Sequence, residues 1–436
     1  MKIEYNIFLK KCIILLLINH FFKYINSIQI LKLNFERNFS EILTKENLMS
    51  NLYNNDIYTY ITIGSNLEKI PVSFKMNSFP FYIITSKTNQ SKNPFYHYEK
   101  SSSFFNESIK LNFTEQDFLI AYHALETISL NKEKNFQNLQ KFQLITPLQL
   151  NKENIINEAG SIGLNIFNLN SNLDNTDFIL QLKKRKIIDS FPFTFKYTNS
   201  KKEKGEFILG ALPDEYDKYY NSSKYKFSLT KIYAEKPIWA LDFDKIIYFK
   251  QLNTFSNLFF FRIEIGLIVS PNSYKKFFKD SFFNQTKCYE EIFKSEDLNE
   301  FYYFYCDSSV DISKFGNLNF YNHFFNMNFT LNEKDLFYYF KKRNYFLIVF
   351  SVKSNYDWIL GSPFLKKYQM IFDKDKKIIS TYEPNDSFEF SFIFVIIFLL
   401  LVIIFFLSIY ISFYLIKKKR KLRVNEIEDN YEYLPQ

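Results

Sequence analysis

The sequence predicts a mostly β chain of two lobes followed by a single membrane-spanning helix, and three observations carry that expectation. Long stretches with a 3.6-residue apolar period are scarce, while short runs rich in Phe, Ile, Tyr and Thr recur with turn residues between them. From Phe390 to Ile416 the chain is almost wholly apolar, longer than the roughly 20 residues that cross a bilayer as a helix. Ahead of that stretch the 436-residue chain has ample length for two lobes.

Taken in order, residues 1–27 read as a secretory signal peptide. Lys10 and Lys11 precede the apolar Cys12 to Ile18, and a small-residue site lies near Ser27. Residues 28–200 and 201–387 are the expected N-terminal and C-terminal β lobes, with the charged stretch Asn199 to Lys204 as the boundary, since no low-complexity linker separates the halves. Residues 390–416 are the expected transmembrane helix. Lys417-Lys418-Lys419-Arg420-Lys421-Leu422-Arg423 follows at once, so the positive-inside rule places the tail, 417–436, in the cytosol. The expectation is a single-pass type I membrane protein of the secretory pathway, cell surface or endolysosomal membrane, with its ectodomain lumenal or extracellular. In the tail, Tyr431-Glu432-Tyr433-Leu434 matches a tyrosine-based sorting signal, which would make sorting adaptors its partners.

Much of the formal charge of +9 sits in the cluster after the apolar stretch, so no nucleic-acid partner is expected. The aromatic fraction of 20% accompanies heavy use of Lys, Ile and Asn, the signature of an AT-rich coding sequence, and says little about function. Of three cysteines, Cys12 lies in the signal segment; Cys288 and Cys306 are expected to form one structural disulfide in an oxidising compartment. His20, His97, His123 and His323 are scattered, and neither a metal nor another cofactor is expected. Acceptor triplets make Asn38, Asn89, Asn106, Asn112, Asn221, Asn284, Asn328 and Asn385 glycosylation candidates. The sequence contains no phosphate-cradling glycine loop, metalloprotease helix or Gly-x-Ser-x-Gly elbow.

One block is more specific. Trp358-Ile359-Leu360-Gly361-Ser362-Pro363-Phe364-Leu365-Lys366-Lys367-Tyr368, followed by Met370-Ile371-Phe372-Asp373 and Ile378-Ile379, combines a strand ending in glycine, a short helix and a hairpin at fixed spacing. It resembles the last block of the pepsin-like aspartic peptidases, and the likeness extends over roughly residues 55 to 382. Tyr58 to Gly64 with Ile70 to Phe74 is similar to the hairpin leading into that family's first catalytic loop, and Phe81-Tyr82-Ile83-Ile84 to the strand after it. Gly160-Ser161-Ile162-Gly163-Leu164 resembles a Gly-x-x-Gly-Leu turn, Phe178 to Lys183 the helix after it, and Gly205 to Gly210 the strand closing the first half. The resemblance implies a bilobal fold of two β-barrel lobes with a cleft between them.

The departures from the family bear on chemistry. The family's Asp-Thr-Gly-Ser turn falls on Lys75-Met76-Asn77-Ser78, so lysine stands where the first aspartate is expected. The second loop falls on Ile263-Glu264-Ile265-Gly266-Leu267-Ile268-Val269-Ser270-Pro271. With two residues deleted Glu264 takes the aspartate's position; without a gap Arg262 does. Of the flap, the strands of Asp117 to Leu130 are present and the glycines are not; Tyr122, the flap candidate, is either the remnant of the tip or a strand tyrosine, and the strand reading is preferred. Hydrolysis in this family uses two carboxylates sharing one proton, one drawing a proton from water and the other donating to the carbonyl oxygen. The expectation is a catalytically silent relative that binds a peptide or protein ligand in its cleft. The alternatives are an active endopeptidase in which Glu264 cooperates with Asp242 or Asp244, and a surface scaffold or adhesion protein.

Overall fold

The computed structural model describes residues 29–383 apart from 38–42, 55–56, 79, 87, 89–94, 113–117, 131–139, 151–158, 167–174, 200–203, 231–237, 250, 254–256, 286, 296–298 and 354–356, together with 400–412 and 414–416. The expected signal peptide, the tail motif Tyr431–Leu434 and the triplets at Asn38, Asn89 and Asn385 lie outside the described residues.

Strands dominate, as the short alternating runs require. β1 (Leu31–Arg37) shows the pattern plainly: Leu31, Leu33, Phe35 and Arg37 point inward while the residues between them are exposed or half-buried. The first part of the chain continues with β2 (Ile57–Ile63), β3 (Glu68–Lys75), β4 (Tyr82–Ile83), β5 (Phe105–Asn112), β6 (Phe118–Ser129), β7 (Gln140–Leu150), β8 (Gly160–Gly163), β9 (Pro192–Asn199), β10 (Lys204–Leu209) and β11 (Tyr225–Leu229). Two helices accompany them, α1 (Leu48–Tyr53) and α2 (Phe178–Lys184), with a turn of helix, α3, at Pro213–Tyr216. Asp177 caps α2, its carboxylate accepting from Leu180 N at 2.9 Å, and Lys183 and Lys184 close the last turn.

The second part contains β12 (Ala240–Phe243), β13 (Lys245–Tyr248), β14 (Gln251–Asn253), β15 (Asn257–Phe261), β16 (Ile268–Ser270), α4 (Ser273–Ser281), β17 (Cys288–Lys294), β18 (Glu300–Asp307), β19 (Leu318–Asn322), β20 (Met327–Leu331), α5 (Glu333–Leu336), β21 (Phe337–Phe340), β22 (Arg343–Phe346), β23 (Ile348–Ser351) and β24 (Trp358–Leu360). α6 (Ser362–Lys367) then leads to the hairpin β25 (Ile371–Asp373) and β26 (Ile378–Tyr382).

The described residues form three sheets. β1 to β11 join β25 and β26 in one 13-stranded sheet, so the last hairpin of the chain returns to the sheet of the first half; β25 pairs with β9 through Phe372 and Phe193. β12, β15–β18 and β21–β24 form a nine-stranded sheet, and β13, β14, β19 and β20 a four-stranded one. The expected lobe boundary after residue 200 falls between β9 and β10, which pair with each other antiparallel. A single large apolar cluster runs through both halves, built heavily from phenylalanines such as Phe74, Phe193, Phe195 and Phe207, whose rings pack edge-on or tilted. Trp239, fully buried, donates its indole N–H to Leu164 O at 2.8 Å and so ties the second half to the first. The expected disulfide is present: Cys288 and Cys306 face each other across β17 and β18.

Residues 383–436 form a separate unit. Of the stretch expected to span a membrane, 400–412 and 414–416 are helical with mostly exposed side chains, while 390–399 and 413 lie outside the described residues. No helix among the described residues is long and apolar enough to cross a membrane.

Candidate functional site

The two halves repeat one construction. In the first, β3 runs parallel to β8, with Phe74 opposite Ile162 and Lys75 opposite Gly163. β4 lies antiparallel on the other side of β8, Tyr82 opposite Ser161, and itself runs parallel to β7 at Ile145. In the second, β15 runs parallel to β24, with Phe261 opposite Leu360. β16 lies antiparallel on the other side of β24, Val269 opposite Ile359, and runs parallel to β23 at Val349. Gly160 to Leu164, expected as a turn, is therefore mostly strand, because β3 and β4 both hydrogen-bond to it.

This register fixes the correspondence. Phe74 matches Phe261, Ile162 matches Leu360 and Tyr82 matches Val269; one step past each parallel pair, Lys75 matches Arg262 and Gly163 matches Gly361. The spacing from Lys75 to Tyr82 equals that from Arg262 to Val269, which leaves no room for the two-residue deletion that would move Glu264 into the acid's place. Arg262 is the counterpart of Lys75, and Glu264 is the counterpart of Asn77.

The loops themselves meet. Glu264 accepts from Met76 N through Oε2 at 3.3 Å and from Arg262 Nε through Oε1 at 2.8 Å. With its amide oriented to satisfy both neighbours, Asn77 donates to Glu264 Oε1 at 3.0 Å and accepts from Arg262 Nη2 at 2.8 Å. The ion pair is largely buried, with side-chain exposures of 27% for Arg262 and 14% for Glu264, so its charge-assisted bonds are little diluted by water. Lys75 is half-buried and donates through Nζ to the Tyr82 hydroxyl at 3.4 Å, above that ring. Met76 and Ile263, the second residue of each loop, are fully buried. Ser78 is buried, and its hydroxyl has no hydrogen-bond partner among the described residues.

A backbone constraint holds the second loop in place. A Cβ on Gly361 would stand 2.2 Å from both Ile265 O and Leu267 O, so only glycine allows α6 to begin against the loop. Ser362 N donates to Ile265 O at 2.8 Å, and Ser362 Oγ to Gly266 O at 3.2 Å.

The family model of the eukaryotic aspartyl protease matches residues 56–382. The chain belongs to this family. A search of curated proteins finds no match. For a eukaryotic aspartyl protease, the paired loops are the positions where the acids are expected, and here they carry a lysine and an arginine. The remaining carboxylate, Glu264, has both oxygens committed as acceptors.

Other candidates are placed elsewhere. Asp244 is held by His323, whose Nδ1 lies 2.7 Å from Oδ1 and whose main-chain N–H donates to Oδ2 at 2.8 Å. Burial alone would raise the Asp244 pKa, but the bonds from His323 outweigh it and the net shift is downward. Asp242 sits within β12 opposite Leu258. Tyr122 lies in the interior of β6, opposite Lys110 on one side and Thr146 on the other, and so is a strand tyrosine rather than the tip of a hairpin. The β5–β6 connection, 113–117, lies outside the described residues. Asn221, Asn284 and Asn328 are exposed, Asn106 is half-buried, and Asn112 ends β5. Of the histidines, His97 pairs with Glu68 at 3.2 Å and His123 is buried in β6. No group of three or more His, Cys, Asp or Glu able to hold a metal occurs among the described residues.

Sequence reasoning missed α1. Leu48, Met49, Leu52 and Tyr53 bury themselves against Ile265, Leu267, Val269, Val349 and Ile359, on the face of the second-half sheet beside the Glu264 loop. Gly266 N donates to Tyr53 O at 2.9 Å, and Asn54 forms an antiparallel bridge with Ile265. The apolar pairs four residues apart were the available signal.

Proposed function

We propose that this member of the eukaryotic aspartyl protease family does not hydrolyse peptides and serves to bind a peptide or protein segment. The pairing of Lys75 with Arg262 at matched positions of the two halves carries the reading. Hydrolysis in this family requires two carboxylates that share a proton. An arginine stays protonated in proteins and has no lone pair to offer as a base. Glu264 is itself the acceptor for Arg262, Met76 and Asn77, so its carboxylate is occupied in holding the loops together.

Binding without cleavage is supported by the main-chain geometry beside the loops. Ile265 and Gly266 already take main-chain partners from outside the loop, Gly266 N donating to Tyr53 O at the end of α1 and Ile265 bridging Asn54 just after it. A peptide that docks there does so as an added strand and exchanges with those two residues. The test is cleavage of an unfolded protein by the full-length chain from acidic to neutral pH, with and without a statine-type inhibitor. We expect no inhibitor-sensitive cleavage; its appearance would overturn the silent reading. Cross-linking with extended peptides that labels Ile265–Leu267 supports the binding role, and labelling confined to outer faces favours a scaffold instead.

The proposal includes a single-pass type I membrane protein with a lumenal or extracellular, glycosylated ectodomain. The apolar run Phe390 to Ile416, the basic cluster after it and the exposed triplets at Asn221, Asn284 and Asn328 support it. Extraction of the cellular protein by alkaline carbonate, or an unchanged gel mobility after glycosidase treatment, would count against it. Recognition of Tyr431–Leu434 by sorting adaptors belongs to the same proposal, and an unaltered steady-state location of Tyr431→Ala would remove it.

A further inference from the structure

β11 is an edge of the thirteen-stranded sheet: among the described residues it pairs with β26 alone. Ser228 is its buried side chain, while Phe227 and Leu229, which alternation puts on the other face, are 54% and 66% exposed. Single exposed apolar side chains such as Leu67 and Phe324 are ordinary on a protein surface. Two on the same face of an edge strand are not, because an uncovered apolar edge is a template for pairing with other chains.

These two side chains extend an aromatic strip. Tyr225 stands opposite Tyr382, and its ring lies 5.3 Å from that of Tyr382 and 5.9 Å from that of Phe227. Tyr220 packs edge-on against Tyr382 at 5.1 Å. The strip's polar ends are held by the protein, the Tyr382 hydroxyl donating to Asp214 and the Tyr220 hydroxyl to Gln369. Rings that are apolar along their bodies and polar at their tips are the material of the aromatic belts found where membrane proteins meet lipid head groups.

The course of the chain selects the occupant. Tyr382 is the last residue of β26, and the apolar run begins at Phe390, so only residues 383–389 separate this edge from the expected span. Fully extended, that connection reaches at most about 29 Å. A bilayer is therefore held near the edge for as long as the chain is anchored, whereas a peptide or a second copy has to be recruited. We propose that the β11 edge rests on the bilayer surface, with Phe227 and Leu229 inserted among the lipids and Tyr225 beside them at the level of the head groups. This contact presupposes the membrane-anchored reading and is separate from the loss of hydrolysis. It also narrows the choice of glycosylated residues. A glycan on Asn221, next in the chain to Tyr220, would hold the edge off the lipid, so Asn284 and Asn328 are the exposed acceptors expected to be used.

The experiment uses the full-length chain, made in a host with a secretory pathway and reconstituted in phosphatidylcholine nanodiscs. Photoreactive benzoylphenylalanine replaces Phe227 or Leu229, and Leu67 or Phe324 as references. Irradiation is expected to give phospholipid adducts at Phe227 and Leu229 in several times the yield at either reference, with unfolding midpoints near wild type and the peptide containing Asn221 unmodified. A yield no higher than at the references, adducts to a second copy or another protein in place of lipid, or a glycan on Asn221 overturns the proposal and leaves the anchor standing. A chain that does not enter nanodiscs overturns the anchored reading and this contact with it. Should the Phe227 variant fail to fold, the variant at Leu229, the more exposed of the two, is read in the same way.

Discussion

The two loops at the centre of this molecule have the same backbone and opposite solutions to the loss of an acid. In the second half, Arg262 and Glu264 form a largely buried ion pair whose carboxylate also takes Met76 N and Asn77 from the first half. In the first half, Lys75 turns to the Tyr82 hydroxyl, and Ser78 leaves a buried hydroxyl without a partner among the described residues. The second loop has thus been rebuilt as a small polar network, while the first keeps a polar group for which the structure supplies no partner. The loop geometry therefore does not depend on the acids. It depends on parallel strand pairs and on glycines, and those are present in both halves.

The largest effect should come from the glycine. Gly361→Ala places a Cβ 2.2 Å from two carbonyl oxygens of the second loop, and backbone cannot yield as a flexible side chain would. Overpacking of this kind is expected to cost about 3 kcal/mol or more in denaturant unfolding of the full-length protein. Gly160→Ala, whose Cβ would stand 2.5 Å from Tyr82 O, should behave alike in the first half. A loss below about 1 kcal/mol in both would break the claim that glycine and strand register carry the loops.

Next comes the asymmetry itself. Glu264→Gln removes the charge that Arg262 faces in a mostly buried setting and is expected to cost about 2–3 kcal/mol. Lys75→Met, in the half-buried first loop, should cost under about 1 kcal/mol, since its bond to Tyr82 is long. Equal losses would mean that the two halves do not differ as described. A double-mutant cycle of Glu264→Gln with Arg262→Met sharpens the point by isolating the pair.

Much of this was legible in the sequence, and the parts that were not have a common cause. The hairpin β2–β3, the strand β24 with α6, and the last hairpin show in alternation, in a glycine and in a proline at a helix start, all local signals. The disulfide followed from counting cysteines. The choice between Arg262 and Glu264 did not follow, because it depends on pairing Phe261 with Leu360, far apart in the chain. The contact of Glu264 with Met76, 188 residues away, is likewise invisible to any local pattern. α1 went unread because a six-residue helix is too short to establish a 3.6-residue period. Tyr122 was ambiguous because alternation alone does not say whether a tyrosine ends a strand or sits within it; pairing on both sides does.

A smaller effect concerns acid. Burial alone would raise the pKa of Glu290, but its hydrogen bonds from Lys275 and Lys279, at 2.7 and 2.8 Å, outweigh that and hold it below the ordinary 4.5. A carboxylate whose folded pKa is depressed contributes stability above its unfolded pKa and loses it as pH falls through the folded value. The contribution, at most about 1 kcal/mol for a partly exposed pair, is therefore full above about pH 5 and fades below pH 4.5. Glu290→Gln should lower the neutral-pH midpoint slightly and flatten its decline on acidification. An acid dependence identical to wild type would assign that decline to other carboxylates.

The smallest expected change is the most direct reading of the contrast between the loops. Ser78→Ala deletes a buried hydroxyl that makes no hydrogen bond among the described residues, at a position 5% exposed. Removing an unsatisfied polar group relieves its desolvation cost, so the variant should be neutral or up to about 1 kcal/mol more stable. The same experiment at the matched position has no counterpart, because Ile265 is already apolar and buried under α1. A clear destabilisation by Ser78→Ala would show that the first loop's hydroxyl has a partner in solution, and would erase the distinction between a rebuilt loop and one left with an orphaned polar group.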